Sequence, residues 1–101
     1  MKFEVELSDL AGEDLEKIAS EASIDALCHL ENLISDVLAV DPIGASEKSR
    51  FPYPPSDTAR IRETQYEDDN VHCLMTIIFE IKHGNLIFIR NIGRVIYRSN
   101  H

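Results

Sequence analysis

Five arginines and two tyrosines in the second half of this 101-residue chain are the groups best suited to chemistry. Arg60 and Arg62 stand two apart, and Arg90, Arg94 and Arg98 follow at four-residue spacing with no acid among them. Tyr66 and Tyr97 lie close to them in sequence. A guanidinium's delocalised charge matches the spread negative charge of a phosphorane-like transition state, and a tyrosine can stack on a base or pass a proton. Such a patch suits RNA cleavage, with Arg60, Arg90 and Arg98 as RNA-binding groups. The same arginines suit pairing with the chain's surplus acids or with an acidic partner, and the residues alone leave both readings open.

Other chemistries find less support. The four glycines are scattered, so no phosphate-cradling loop is present, and no serine sits in a strand-turn-helix elbow. Cys28-His29 and His72-Cys73 pair metal-ligating residue types, but neighbours diverge around a helix and point to opposite faces of a strand. Neither pair can easily chelate one ion, so we expect no metal and no cofactor. Acidic runs such as Glu67-Asp68-Asp69 read as solvated turns. Both cysteines fall on apolar patterns and are expected to be reduced and buried.

The net charge is −8, which argues against nonspecific nucleic-acid binding. Its distribution is uneven: residues 1–47 hold 12 acids and 2 bases, residues 48–101 hold 6 acids and 8 bases. A hydrophobic fraction of 44% suffices for one core without disulfides, so residues 1–101 are expected to form one domain. With no signal-like leader and no apolar run of membrane-spanning length, the expected location is the cytoplasm, with no membrane partner.

These side chains need positioning elements, and hydrophobic periodicity supplies them. Lys2-Phe3-Glu4-Val5-Glu6-Leu7 alternates, predicting a strand with Phe3, Val5 and Leu7 on its buried face. Ser8 or Asp9 opens a first helix, with Leu15, Ile18, Ala19 and Ala22 on one side and Glu13, Asp14, Glu16 and Glu21 on the exposed faces. Ser23 caps a second helix running to about Ala39. Its residues Ile24, Leu27, Leu30, Leu33, Ile34, Val37 and Leu38 cover more than one stripe, as expected of a helix packed on two sides or of a homodimer interface. Asp41-Pro42-Ile43-Gly44 stops it, and residues 44–59 have loop composition, with Phe51 and Tyr53 expected as apolar anchors. Residues 60–66 alternate, an acidic turn follows, and the odd positions from Val71 to Ile81 are all apolar, as in a central strand with one face on the helices. Lys82-His83-Gly84-Asn85 then turns the chain into a last β-branched run, where Arg90, Arg94 and Arg98 would share a face if the strand ran straight. The order β-α-α-β-β-β predicts an α+β domain, an antiparallel sheet covered on one face by a helical hairpin.

That order, with Asp41-Pro42 closing the hairpin, Arg60-Ile61-Arg62 on a strand, Ile77-Ile78-Phe79-Glu80-Ile81 before the turn, and Ile92-Gly93-Arg94 leading to Tyr97, resembles the RelE/ParE superfamily, the toxins of type II toxin–antitoxin modules. The resemblance implies ribosome-dependent mRNA cleavage, as in the RelE branch, or inhibition of DNA gyrase, as in the ParE branch, with an antitoxin as partner. It further implies catalytic roles for Arg60 or Arg62, for Arg94 and for Tyr97. Of the first pair, Arg62 is the candidate carried forward. This chain departs from the pattern in spacing Ile92-Gly93, Arg94 and Tyr97 closely, in following Tyr66 with Glu67, in lacking the usual RNA-facing lysines, and in its acidity. Those departures fit a catalytically silent interaction module.

Overall fold

The computed structural model describes residues 2–49 and 58–99. The elements are β1 (Glu4–Leu7), α1 (Asp9–Glu21), α2 (Ile24–Leu33, continuing as a π-helical turn over Ile34–Leu38), β2 (Glu47–Lys48), β3 (Ala59–Glu67), β4 (Val71–Lys82) and β5 (Leu86–Arg98). Five strands form one sheet in the order β1-β5-β4-β3-β2. Neighbours from β2 to β5 are antiparallel, as predicted, whereas β1 joins β5 in parallel and makes the sheet mixed. The two-residue β2 lies within the stretch expected to be loop, and Phe51 and Tyr53 lie outside the described residues.

Both helices begin where a serine supplies the missing acceptor. Ser8 Oγ accepts from Ala11 N at 3.0 Å, and Ser23 Oγ accepts from Ala26 N at 3.0 Å. The second helix buries Ala26, Leu30, Ile34 and Leu38, a four-residue spacing that drifts off a 3.6-residue turn. Its last turn widens to compensate: Ala39 N donates to Ile34 O at 2.9 Å, an i→i+5 bond that returns Leu38 to the core. Leu27 and Leu33 are half-buried against the core, while Ile24 and Val37 are exposed.

The odd positions of β4 behave as their alternation requires. Val71, Cys73, Met75, Ile77 and Phe79 are buried against Ile18, Leu30 and Leu38 from the helices and Ile87, Ile89 and Ile92 from β5. The prediction for β1 fails at two residues. Val5 and Leu7 are 38% and 40% exposed although they sit beside the buried Ile87 and Ile89, because β1 is an edge strand with a sheet neighbour on one side only. Phe3, just ahead of it, does pack on the core.

The β4–β5 hairpin turns through residues 83–85, with Gly84 at φ 81° and Asn85 at φ 57°, the left-handed region that glycine and asparagine tolerate best. Farther along the pair, Phe79 faces Ile89 while Ile78 faces Asn91, so Arg90 is an extra residue in β5. This bulge reverses the side-chain phase of everything after it.

Candidate functional site

The bulge separates the arginines. Arg94 and Arg98 pair in register with the buried Met75 and Val71, so they project on the helix side of the sheet, whereas Arg90 reaches Glu80 on the opposite, open side, with Nη1 3.2 Å from Oε1. The expectation that Arg90, Arg94 and Arg98 share a face is therefore corrected: it required a straight strand. Arg60 and Arg62 do share a face, opposite Phe79 and Ile77 on the helix side. Tyr97 is on the open side, 56% exposed, with its ring 6.0 Å from that of His72.

Each of the arginines at 60, 62, 90, 94 and 98 is occupied by the fold. Arg60 Nε donates to Ser46 Oγ at 2.7 Å, and its Nη2 donates to Ser46 O at 3.1 Å and Ile43 O at 3.3 Å. Arg62 Nη1 donates to Ala45 O at 3.1 Å, while its buried Nε has no partner among the described residues. Together they sew residues 43–46 onto β3. Arg94 Nη2 lies 2.5 Å from Glu21 Oε2 and its Nη1 3.7 Å from Asp14 Oδ1, and Arg98 donates to the carbonyl of Glu21. These contacts tie β5 to the carboxyl end of α1. Arg62, Arg94 and Tyr97 thus stand on three separate parts of the sheet, and the structure does not gather them into one site.

Asp14 is the residue that helical periodicity misplaces. Assigned to an exposed face, it is 7% exposed, and its Oδ2 accepts the backbone N–H of Ile92 at 2.8 Å. β1 covers the outer edge of β5 only from Leu86 to Ile89, which leaves later N–H and C=O groups without a strand. Ser8 serves the first of these, its N–H donating to Ile89 O at 2.9 Å and its hydroxyl to Arg90 O, and Asp14 serves the next.

Two further groups differ from their usual chemistry. Asp68 at the β3–β4 turn accepts from Asn70 N at 2.7 Å, Val71 N at 2.9 Å and Tyr66 Oη at 2.8 Å, and these bonds, led by the Asn70 amide, hold its carboxyl below the ordinary aspartate value. The same bond, aided by burial and the adjacent carboxylate charge, pushes the Tyr66 phenol up to about 12. The signs are opposite. The lowered Asp68 stabilises the fold above its unfolded pKa, and the contribution is lost as pH falls through the folded value; the raised Tyr66 stabilises below 10.0, and that contribution is lost as pH rises through about 12. Phenolate absorbance should accordingly show one tyrosine titrating near 12, and in Asp68→Ala that component should move back towards 10.0. A wild-type titration with no late tyrosine would show that the Tyr66–Asp68 bond does not persist in solution.

Cys73 is buried as expected, and burial raises its thiol pKa, but Cys28 is exposed, because the second helix turns that position away from both α1 and β3. Among the described residues, no three His, Cys, Asp or Glu side chains converge on a point that could hold a metal.

The feature that alternation does not reveal is the open face itself. Both helices lie on one side of the sheet, so the even residues of β4 and their neighbours form a second surface with no covering element among the described residues. Its centre is a groove of about 970 Å³, floored by Thr76 and Gly93 and walled by Leu74, Ile78 and Val95, with Glu63 on the rim. Gly93 keeps the floor low, since it places no side chain above Thr76. Its exposed lining is mostly apolar, and among the described residues it carries no cluster of positive charge.

No protein-family model and no curated protein matches the chain. Among solved structures, a chain of the toxin–antitoxin complex RelBE2 from Mycobacterium tuberculosis is similar to it, with a TM-score of 0.63 over 94% of this chain and 100% of that one, at 11% sequence identity. The likeness establishes the fold: an α+β, RelE-like arrangement of a helical pair on one face of a sheet, as the element order implied. No helix among the described residues is long and apolar enough to cross a membrane.

Proposed function

We propose that the protein is a toxin-like component of a type II toxin–antitoxin module in the cytoplasm and that it works by holding another protein, with an antitoxin as its partner. The carrying observation is the open sheet face, apolar at its centre, on a chain whose Arg60, Arg62, Arg94 and Arg98 are taken up in joining β3 and β5 to neighbouring segments. Ion pairs and hydrogen bonds of that kind lower the positive potential that RNA binding needs. The fold shared with a chain of a toxin–antitoxin complex supports the module assignment.

Ribosome-dependent mRNA cleavage is the second reading, favoured by the exposed Tyr97 beside His72, a pair able to pass a proton. It assigns charge stabilisation to Arg62 and Arg94 and requires both to leave their present partners. Induced expression with transcript mapping separates the readings. Growth arrest with full-length transcripts and intact DNA is the expected result. Transcript cuts that vanish in Arg94→Ala or Tyr97→Phe would establish cleavage, and double-strand breaks with intact mRNA would establish gyrase as the target. Absence of arrest would remove the toxin-like part of the proposal.

A further inference from the structure

We infer that the open-face groove takes a basic, apolar-centred segment of a partner protein, an inference that rests on the protein-binding reading above and names the chemistry of the partner. Among the described residues, register places six glutamates on this face, Glu4, Glu6, Glu47, Glu63, Glu67 and Glu80, against two fixed cations, Lys82 and Arg90, and one histidine, His72. Both cations are already paired with Glu80, at 3.5 Å and 3.2 Å. Glu47, Glu63 and Glu67 stand on the β2–β3 side of the groove, where the described residues of this face present no lysine or arginine and the one basic neighbour is His72, whose Nδ1 lies 3.6 Å from Glu67 Oε2.

That combination selects the occupant. Leu74 and Val95 are 37% and 50% exposed in a groove whose exposed lining is mostly but not wholly apolar, so burying them is favourable for any segment with two or three apolar side chains. The glutamates then discriminate by charge. Nucleic acid is repelled, and a second copy of this chain would set six glutamates against six. Lysines or arginines flanking the apolar residues would instead meet Glu47, Glu63 and Glu67. Steering by the whole molecule acts in the same direction, because the net charge is −8.

The test uses the full chain and labelled peptides in fluorescence anisotropy. The probes are a short peptide of alternating leucine and lysine, its leucine–glutamate counterpart, oligolysine and a single-stranded RNA. The leucine–lysine peptide should bind with an affinity that falls as salt rises, and the other three should bind at least about tenfold more weakly. Leu74→Ser and Val95→Ser, both at exposed positions, and Glu63→Lys should each weaken the peptide by about tenfold while the thermal transition followed by circular dichroism stays cooperative. Equal binding of oligolysine would reduce the surface to a charge effect and overturn the inference. So would variants that bind as wild type does, tighter binding of RNA, or self-association through this face that Val95→Ser abolishes in sedimentation. Transcript cutting in cells with peptide binding intact would sink the functional reading and leave the docking surface standing.

Discussion

Replacing Asp14 with alanine should cost about 2–4 kcal/mol of folding stability, far more than loss of a helix-surface carboxylate would, because the Ile92 N–H then loses its buried acceptor. The ion pair to Arg94 is the smaller part. Arg94 keeps Glu21 at 2.5 Å, and Glu21 is 49% exposed on its side chain, so that pair sits in the range of about 0–1 kcal/mol typical of solvated pairs. Asp14→Asn tests the division, since the amide oxygen can still accept from Ile92 while the charge is gone; it should cost about half as much. Denaturant titrations of both variants decide it. A fall in midpoint equal for the two variants would assign the effect to charge and leave the backbone contact with little weight. An effect below about 0.5 kcal/mol for Asp14→Ala would place it with ordinary surface changes.

Leu30→Asp should abolish folding. Leu30 is 0% exposed in the row Ala26, Leu30, Ile34 and Leu38, and a carboxylate there has no partner, at a cost above about 4 kcal/mol, comparable with the lower end of the roughly 5–15 kcal/mol available to a domain of this kind. Leu33→Asp, one turn along on the half-buried flank, should fold with a moderate loss. The pair also tests the homodimer proposed from the apolar breadth of the second helix. If Leu33, Val37 and the neighbouring Val40, which is 51% exposed, form a twofold interface, Leu33→Asp converts a wild-type dimer into a monomer in sedimentation. A wild-type monomer at micromolar concentration removes the dimer. A cooperative melt for Leu30→Asp would contradict its place in the core.

The strands were legible because a period of two survives with few interruptions in β4, and both helix starts because a serine precedes each. The bulge was not legible, because Leu86, Ile87, Phe88 and Ile89 are all apolar and the phase shows only in which of them the fold buries. The buried positions run odd at Ile87 and Ile89 and then even at Ile92, a phase change that one extra residue explains and a straight strand does not. Reading Arg90, Arg94 and Arg98 as one patch assumed the straight strand. Asp14 was not readable from periodicity, since the group it serves lies 78 residues away and is created only when α1 lies along the outer edge of β5. Val5 and Leu7 misled for a related reason: alternation reports which way a side chain points and carries no information on whether its strand lies at the edge of the sheet. The arginines were identifiable as a set, but their partners are mostly backbone carbonyls of residues 43–46 and 21–22, which no spacing rule foretells.

The parallel pairing of β1 with β5 has a consequence for how the chain is made. Glu4 finds Leu86, and the Ser8 hydroxyl finds Arg90 across 82 residues, so β1 leaves the ribosome well before the strand it pairs with. Loop closure over that distance must be completed before its contacts repay it, which places this step late among the folding events. Until then the nascent strand, with Val5 and Leu7 uncovered, is open to any extended segment that passes, and quick capture of the emerging chain by a partner would shelter it during that interval.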